Sequence, residues 1–358
     1  MKNIARMSLR KARNLLTLPL AVKTRKNLTV PEYIAVMFTE RCNARCLMCR
    51  CYEPPYNPEL TIDQWKHIFG QLKDWLGTFH VQIGGGEPTL RKNDLIELME
   101  YSKNNGIIFG FVTNGFLVDE PFADVVTQSS VFNVNISIDS LDDEKVAYIR
   151  GIKDTHAKEM RAIRNLIKYK KKNNARTNVI MKTIIMGLNL DELEEMVSFV
   201  ENEGLTGVYF QPLSYVGPKD RKTYPDGFWP EDNALLAEKL EKIIELQKAG
   251  APVLTPRSHL ESYYDYYNGK FIQSESECTV GFRNMFIDTN GDVSLCHSVP
   301  DKVVGNIVEQ HPRDIWYSEK AHNKRLKLLN CRQPCMKTCT SKRTFLENLR
   351  FIRQLLWR

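Results

Sequence analysis

No run of apolar residues in this chain approaches the roughly 20 needed to cross a bilayer, so the sequence gives no transmembrane helix. The stretch Leu15 to Val22 is short and interrupted by Pro19. Lys23, Arg25 and Lys26 follow it where a secretory signal would place small residues, so export is not expected. Residues 1–28 lack any acidic side chain while carrying eight Lys/Arg. There is no internal repeat and no low-complexity tract. The spacing typical of a small disulfide-stapled domain is also missing. The nine cysteines fall in two groups, Cys42, Cys46, Cys49 and Cys51 near the front and Cys278, Cys296, Cys331, Cys335 and Cys339 at the back. Clustered thiols in a long chain read as metal or redox sites, which places the protein in a reducing cytoplasm.

The 358 residues, 42% hydrophobic, are enough for one large domain and a smaller one. Charge is uneven. The net +7 combines the basic front with a +4 balance over residues 340–358, leaving a mildly acidic body between them. From Tyr33 to Leu213 short apolar runs alternate with helical patterns, which argues for βα units and a parallel sheet. Strands are expected at Tyr33–Thr39, His80–Gly84, Ile108–Thr113, Phe132–Ile138, Asn178–Met186 and Gly207–Leu213. Helices are expected at Ile62–Trp75, Lys92–Asn104, Glu120–Thr127, Thr155–Lys172, Leu190–Asn202 and Glu231–Lys248. Six units without room for eight give an α/β fold, a partial (β/α)6 TIM-like barrel with one side open. Active sites of such barrels gather at the carboxyl ends of the strands. After about Ala251 the alternation gives way to cysteine-punctuated loops.

Cys42, Cys46 and Cys49 follow the first expected strand at C-x3-C-x2-C spacing. A 4Fe-4S cube has four irons, each wanting one thiolate, so three cysteines leave one iron for a cosubstrate. A structural zinc site, the alternative, closes with four ligands, and Cys51 is awkwardly adjacent for that role. Gly84, Gly85 and Gly86 precede Glu87 at the end of the second strand. Residues without a Cβ let the backbone approach a ligand closely. Together these motifs resemble the radical SAM enzyme superfamily.

That resemblance implies a 4Fe-4S cluster on Cys42, Cys46 and Cys49 whose open iron chelates S-adenosylmethionine. Gly85, Gly86 and Glu87, with Pro88, match the family's GGEP motif, where the glutamate accepts from the cosubstrate's amino group. Ser137 and Asp139, two residues apart and so on one strand face, would meet its ribose or carboxylate. Arg150 would pair with the methionine carboxylate, and Asn114 is similarly placed. Met48 stands where the family often has an aromatic residue beside the adenine. Reductive cleavage would yield a 5′-deoxyadenosyl radical that takes hydrogen from a substrate. Cys278, Cys296, Cys331, Cys335 and Cys339 resemble the SPASM/twitch extension that holds an auxiliary 4Fe-4S cluster, with the usual spacing shortened. Zinc remains the alternative there.

The resemblance implies domains at 33–250 for the core and 251–340 for the auxiliary region. A basic N-terminal extension covers 1–32 and a basic amphipathic helix 341–358. Leu346, Leu349, Ile352 and Leu356 with neighbouring arginines suit a helix on an anionic surface, so peripheral contact with the inner membrane face is entertained. The basic ends contain no nucleic-acid-binding module. His80, His259, His297, His311 and His322 are assigned no role, and Tyr263, Tyr264, Tyr266 and Tyr267 are read as packing at a seam. No residue is singled out as catalytic. The substrate is a peptide or protein residue, or a sugar or other small polar metabolite. An electron donor such as flavodoxin or ferredoxin is implied. The chain ends Leu356-Trp357-Arg358 without the terminal Gly-Gly of the molybdenum-cofactor cyclase, which is set aside on that ground. A non-catalytic iron–sulfur electron carrier and a zinc-binding interaction module are the rival readings.

Overall fold

The computed structural model describes residues 13–14, 16–49, 51–129, 131–214, 224–270, 277–299, 301–332 and 335–336. Cys339 and the helix expected over 341–358 lie outside them. The chain forms two compact units: residues 1–42, 53–111 and 276–332 make the first, and residues 43–52, 112–275 and 333–358 the second.

In the first unit a helix, α1, runs over residues 16–24. Strands β1 (Tyr33–Thr39), β2 (His80–Gly85) and β3 (Ile108–Thr113) are parallel and connected through α2 (Ile62–Leu76) and α3 (Lys92–Asn104). The start of α2 is fixed by a reciprocal cap: Thr61 accepts from the Gln64 amide and the Gln64 side chain accepts from the Thr61 amide. Its buried residues Trp65, Ile68, Phe69 and Leu72 recur at helical spacing, and Trp65 lies 6.1 Å from the Phe38 ring of β1. Each side chain so buried stabilises by roughly 1.5–3 kcal/mol.

The cysteine-rich tail is more ordered than expected. Short strands β7 (Asn284–Ile287), β8 (Asp292–Ser294) and β9 (Val303–Asn306) replace the anticipated loops. β7 pairs in parallel with β1, so the edge of β1 opposite β2 is covered. The sheet of this unit runs β3-β2-β1-β7-β8-β9. Strands of three or four residues are too short to show an alternation in the sequence, which is why they were not foreseen.

Helices α10 (Pro312–Tyr317) and α11 (Glu319–Leu329) fasten this tail to the front of the chain. Trp316 is fully buried, donates its indole N–H to Thr29 O at 2.9 Å and lies 6.4 Å from Trp75. The Arg325 guanidinium sits 4.4 Å over the Trp316 ring and donates to Gly281 O and Trp316 O. Burial brings Arg325 down from the usual arginine range to about 9. Ala21 of α1 is buried with Phe282 and Leu329, with Leu18 and Val22 packed alongside. The described part of the basic extension is therefore a docked element.

The second unit contains α4 (Glu120–Gln128), β4 (Asn133–Ser137), α5 (Asp143–Arg150), α6 (Thr155–Lys172), β5 (Asn178–Ile185), α7 (Leu193–Asn202), β6 (Gly207–Pro212), α8 (Asn233–Ala249) and α9 (Arg257–Tyr267). β4, β5 and β6 are parallel neighbours. α5 is not expected from the sequence, since its four apolar residues, Val146 to Ile149, are consecutive and show no helical period. Asp142 caps its start through the Glu144 and Lys145 amides, and Gly151 ends it in the left-handed conformation. The tyrosines of α9 are structural. Tyr263, Tyr266 and Tyr267 donate to Phe210 O within β6, Leu213 O just beyond it and Ile185 O at the end of β5.

Among the described residues no helix is long and apolar enough to cross a membrane. Trp316→Ala should destabilise the protein by about 3–5 kcal/mol, read from denaturant unfolding, because it deletes a buried indole and its hydrogen bond.

Candidate functional site

The first unit prepares the approach to Cys42. Beyond β1, Thr39 and Arg41 both donate to the Glu59 carboxylate, with Arg41 Nη2 at 2.7 Å from Glu59 Oε2. Burial would raise the Glu59 carboxyl, but the hydrogen bonds from Arg41 and Thr39 outweigh it and hold the group below the usual range. Arg91 lies 4.4 Å over the Phe38 ring and donates to Phe38 O and Leu60 O. The end of β1 is thus held by side chains from two other segments.

Against this approach lies the glycine run. Gly86 N donates to Thr39 O at 2.7 Å and Glu87 N to Arg41 O at 2.8 Å. A Cβ on Gly85 would collide with Thr39 O, and one on Gly86 with Arg41 O. Gly84 has open space instead. The first physical role of Gly85 and Gly86 is therefore close contact with the cysteine lead-in. Glu87 is buried, and its Oε1 accepts from the Thr89 amide and hydroxyl, capping the 3-10 turn Pro88–Arg91.

The second unit holds the rest of the thiol loop. Arg45 N donates to Arg150 O at 2.9 Å and Leu47 N to Ile149 O at 3.0 Å. The last carbonyls of α5, which have no partner within their own helix, thereby fix the loop. Cys49 N donates to Cys46 O across the x2 spacing. Gly151 lies so close that a Cβ would come within 2.6 Å of Arg45 O. Asn114 donates to Asn43 Oδ1 at 2.7 Å, a second tie on the same loop.

Arg150 is the centre of this arrangement. Its Nε donates to Glu159 at 3.1 Å, its Nη2 to Ser137 O, and its Nη1 to Cys46 Sγ at 3.6 Å, while Nη2 also forms an ion pair with Asp139 at 3.2 Å. Burial pushes the Cys46 thiol up, and the Arg150 charge pulls it back toward the thiolate. Asp139 is raised by burial although Arg150 opposes it, and its Oδ1 accepts from Ile184 N. Glu159 is fully buried on α6 and its carboxyl is pushed up to about 8, chiefly by burial. Sequence reasoning missed Glu159. The available signal was an acid at i with Ala162, Ile163 and Leu166 at i+3, i+4 and i+7, a charge on an apolar helical face.

The rear thiols Cys278, Cys296, Cys331 and Cys335 are partly buried and in no disulfide, as are Cys42, Cys46, Cys49 and Cys51. Ser298 N donates to Cys296 Sγ at 3.5 Å, and His297 packs edge-on against Phe286 at 4.8 Å. Among the described residues no three His, Cys, Asp or Glu side chains gather as a single metal ion requires. A cube takes one thiolate per iron. Reduced, partly accessible thiols, one of them hydrogen-bonded by a buried cation, have the donor chemistry that such a cube needs.

A parallel α/β sheet whose first strand leads into a three-thiol loop defines a protein class built around an iron–sulfur centre. Residues 36–200 match the Radical SAM superfamily and residues 278–341 the SPASM iron–sulfur cluster-binding domain. The chain thus carries a radical SAM domain followed by a C-terminal SPASM domain. Its cofactors are those of the two domains, a 4Fe-4S cluster with S-adenosylmethionine and auxiliary iron–sulfur.

The Fe-coproporphyrin III synthase of Methanosarcina barkeri is 26% identical over 64% of this chain and 56% of its own length. The mycofactocin maturase MftC of Mycolicibacterium smegmatis is 30% identical over 51% of this chain and 44% of its own. The chain thus spans about half the length of these curated relatives. Streptococcus suis SuiB, solved with its precursor peptide SuiA, superposes with a TM-score of 0.65 at 18% identity, covering 90% of this chain and 79% of SuiB. That likeness shows the α/β fold.

Gly86→Ala should lower the thermal midpoint by several degrees and reduce iron uptake on reconstitution, while Gly84→Ala leaves both near wild type. Because folded Glu159 binds its proton more tightly than the ordinary 4.5 of a free glutamate, stability should fall as pH rises from about 4.5 to about 8. Glu159→Gln should flatten that slope in pH-dependent thermal melts.

Proposed function

We propose that the chain cleaves S-adenosylmethionine reductively and modifies a peptide or protein substrate by hydrogen abstraction. The observation that carries the chemistry is the Arg150 hydrogen bond to Cys46 within a loop zipped to α5. A cation brought out of water and aimed at a thiol serves a thiolate. Cys42, Cys46 and Cys49 hold the cluster, which when bound with its cosubstrate supplies the 5′-deoxyadenosyl radical.

The remaining work belongs to the side chains. Glu87, with the backbone of Gly85 and Gly86, receives the cosubstrate's amino group, and Asn114, Ser137 and Asp139 border its ribose. Arg150 already donates to Glu159, Cys46 and Ser137 O and pairs with Asp139, so it acts mainly on Cys46 and has N–H capacity left for the methionine carboxylate. Cys278, Cys296, Cys331, Cys335 and Cys339 would hold the auxiliary cluster, which would supply an electron acceptor for the substrate. A flavodoxin or ferredoxin supplies the first electron.

A peptide substrate is favoured over a sugar because SuiB, similar over most of this chain, was solved with a precursor peptide. The site lies in a cytoplasmic protein on this reading, and the basic ends make any membrane contact peripheral.

Oxygen-free reconstitution should give about eight irons per chain with matching sulfide, the content of two cubes. Incubation with dithionite and S-adenosylmethionine should then release 5′-deoxyadenosine, and Cys46→Ala should abolish it. Zinc without sulfide, or reduced protein that leaves the cosubstrate intact, would eliminate this reading.

A further inference from the structure

One charged side chain of the β4-β5-β6 sheet takes no part in the site described above. On one face of this sheet Val134, Ile136, Val179, Met181, Thr183, Ile185, Val208 and Phe210 are all buried. The opposite face is different. The register sets Asn135 beside Ile180, Ser137 beside Lys182, Lys182 beside Tyr209 and Ile184 beside Gln211. Toward the amino ends this face is closed by an apolar plug of Ile180, Tyr209 and Leu254, with Phe132 packed against it. Toward the carboxyl ends Ser137, Lys182, Ile184 and Gln211 are all partly exposed.

Lys182 stands directly above the plug. Its ammonium lies 5.9 Å from the centre of the Tyr209 ring, and the only influence resolved on its titration is burial, which lowers it to about 8. Its cross-strand partner Ser137 offers its carbonyl to Arg150, so the amine is one residue pair away from the network that reaches Cys46. A lysine in a strand interior, with no carboxylate drawn to it among the described residues and an apolar floor beneath it, is costly unless an anion from outside completes it. A lone point charge flanked by a hydroxyl suits one carboxylate. Phosphate sites typically gather several backbone N–H groups or a second cation.

We propose that Lys182 is a substrate-anchoring residue whose ammonium binds a carboxylate of the peptide to be modified. This rests on the function proposed above, and it adds the part of the substrate that this face recognises. The sequence offered one sign of it, a single charged residue inside the run Val179–Met186, where only Thr183 is otherwise polar.

Competitive labelling tests the assignment on cluster-loaded enzyme kept free of oxygen. A trace of acetic anhydride is applied across a pH series and acetylation of Lys182 is followed by peptide mass spectrometry. Half-maximal labelling of Lys182 should fall at about pH 8, below that of surface lysines. Saturating N-acetylglutamate α-amide, used as the carboxylate probe, should raise that midpoint by about one unit, a roughly tenfold preference for the charged amine. Inorganic phosphate at matched ionic strength and S-adenosylmethionine alone should leave it in place.

Equal protection by phosphate, protection by S-adenosylmethionine alone, or no protection by the carboxylate probe would each overturn the assignment. Release of 5′-deoxyadenosine by the same preparation separates this failure from failure of the underlying function.

Discussion

The second unit is organised around one guanidinium taken out of water. Arg150 has lost its hydration and donates instead to Glu159, Ser137 O and Cys46, with Asp139 as an ion-pair partner. Removing a partner leaves a buried N–H or the guanidinium charge unsatisfied in a poorly solvating interior, so the group imposes a geometry on everything it touches. Those contacts join α5, α6, the end of β4 and the thiol loop. The same helix end receives the Arg45 and Leu47 amides. Side chain and backbone of residues 149–150 therefore determine together where Cys46 points.

The first unit solves the matching problem with backbone contacts. The peptide groups of Gly86 and Glu87 lie against Thr39 and Arg41, and only glycine permits that approach. The glycine motif has a structural duty even before any cosubstrate is considered. Glu59 and Arg91 extend that restraint to the end of β1, converting a strand terminus into a fixed platform for the first cysteine. Preorganisation of this kind means that little conformational entropy remains to be lost when a cofactor binds.

The SPASM region deserves its place in this picture through β7. Its pairing with β1 makes the auxiliary segment part of the sheet that carries the cysteine lead-in. Trp316 and Arg325 then bind the tail to the front of the chain, so that the first unit is assembled from three segments far apart in sequence. Cooperative loss of both ends on unfolding follows from that construction.

Much of this was legible in the residues alone. The six strands of the βα region were read within one or two residues, because apolar runs between capped, amphipathic helices leave a strong period. The Cys42–Cys49 spacing and the Gly85–Glu87 motif marked the candidate site openly, since ligand arithmetic and the need for a missing Cβ are local properties. What stayed hidden was set by partners distant in sequence: the burial of Glu159, the isolation of Lys182, the strand β7 beside β1 and the hydrogen bond from Arg150 to Cys46. The sequence by itself determined which thiols are available to a metal and where the chain turns. Which of those atoms share a buried charge was decided only by the tertiary structure, because desolvation depends on what surrounds a group in space.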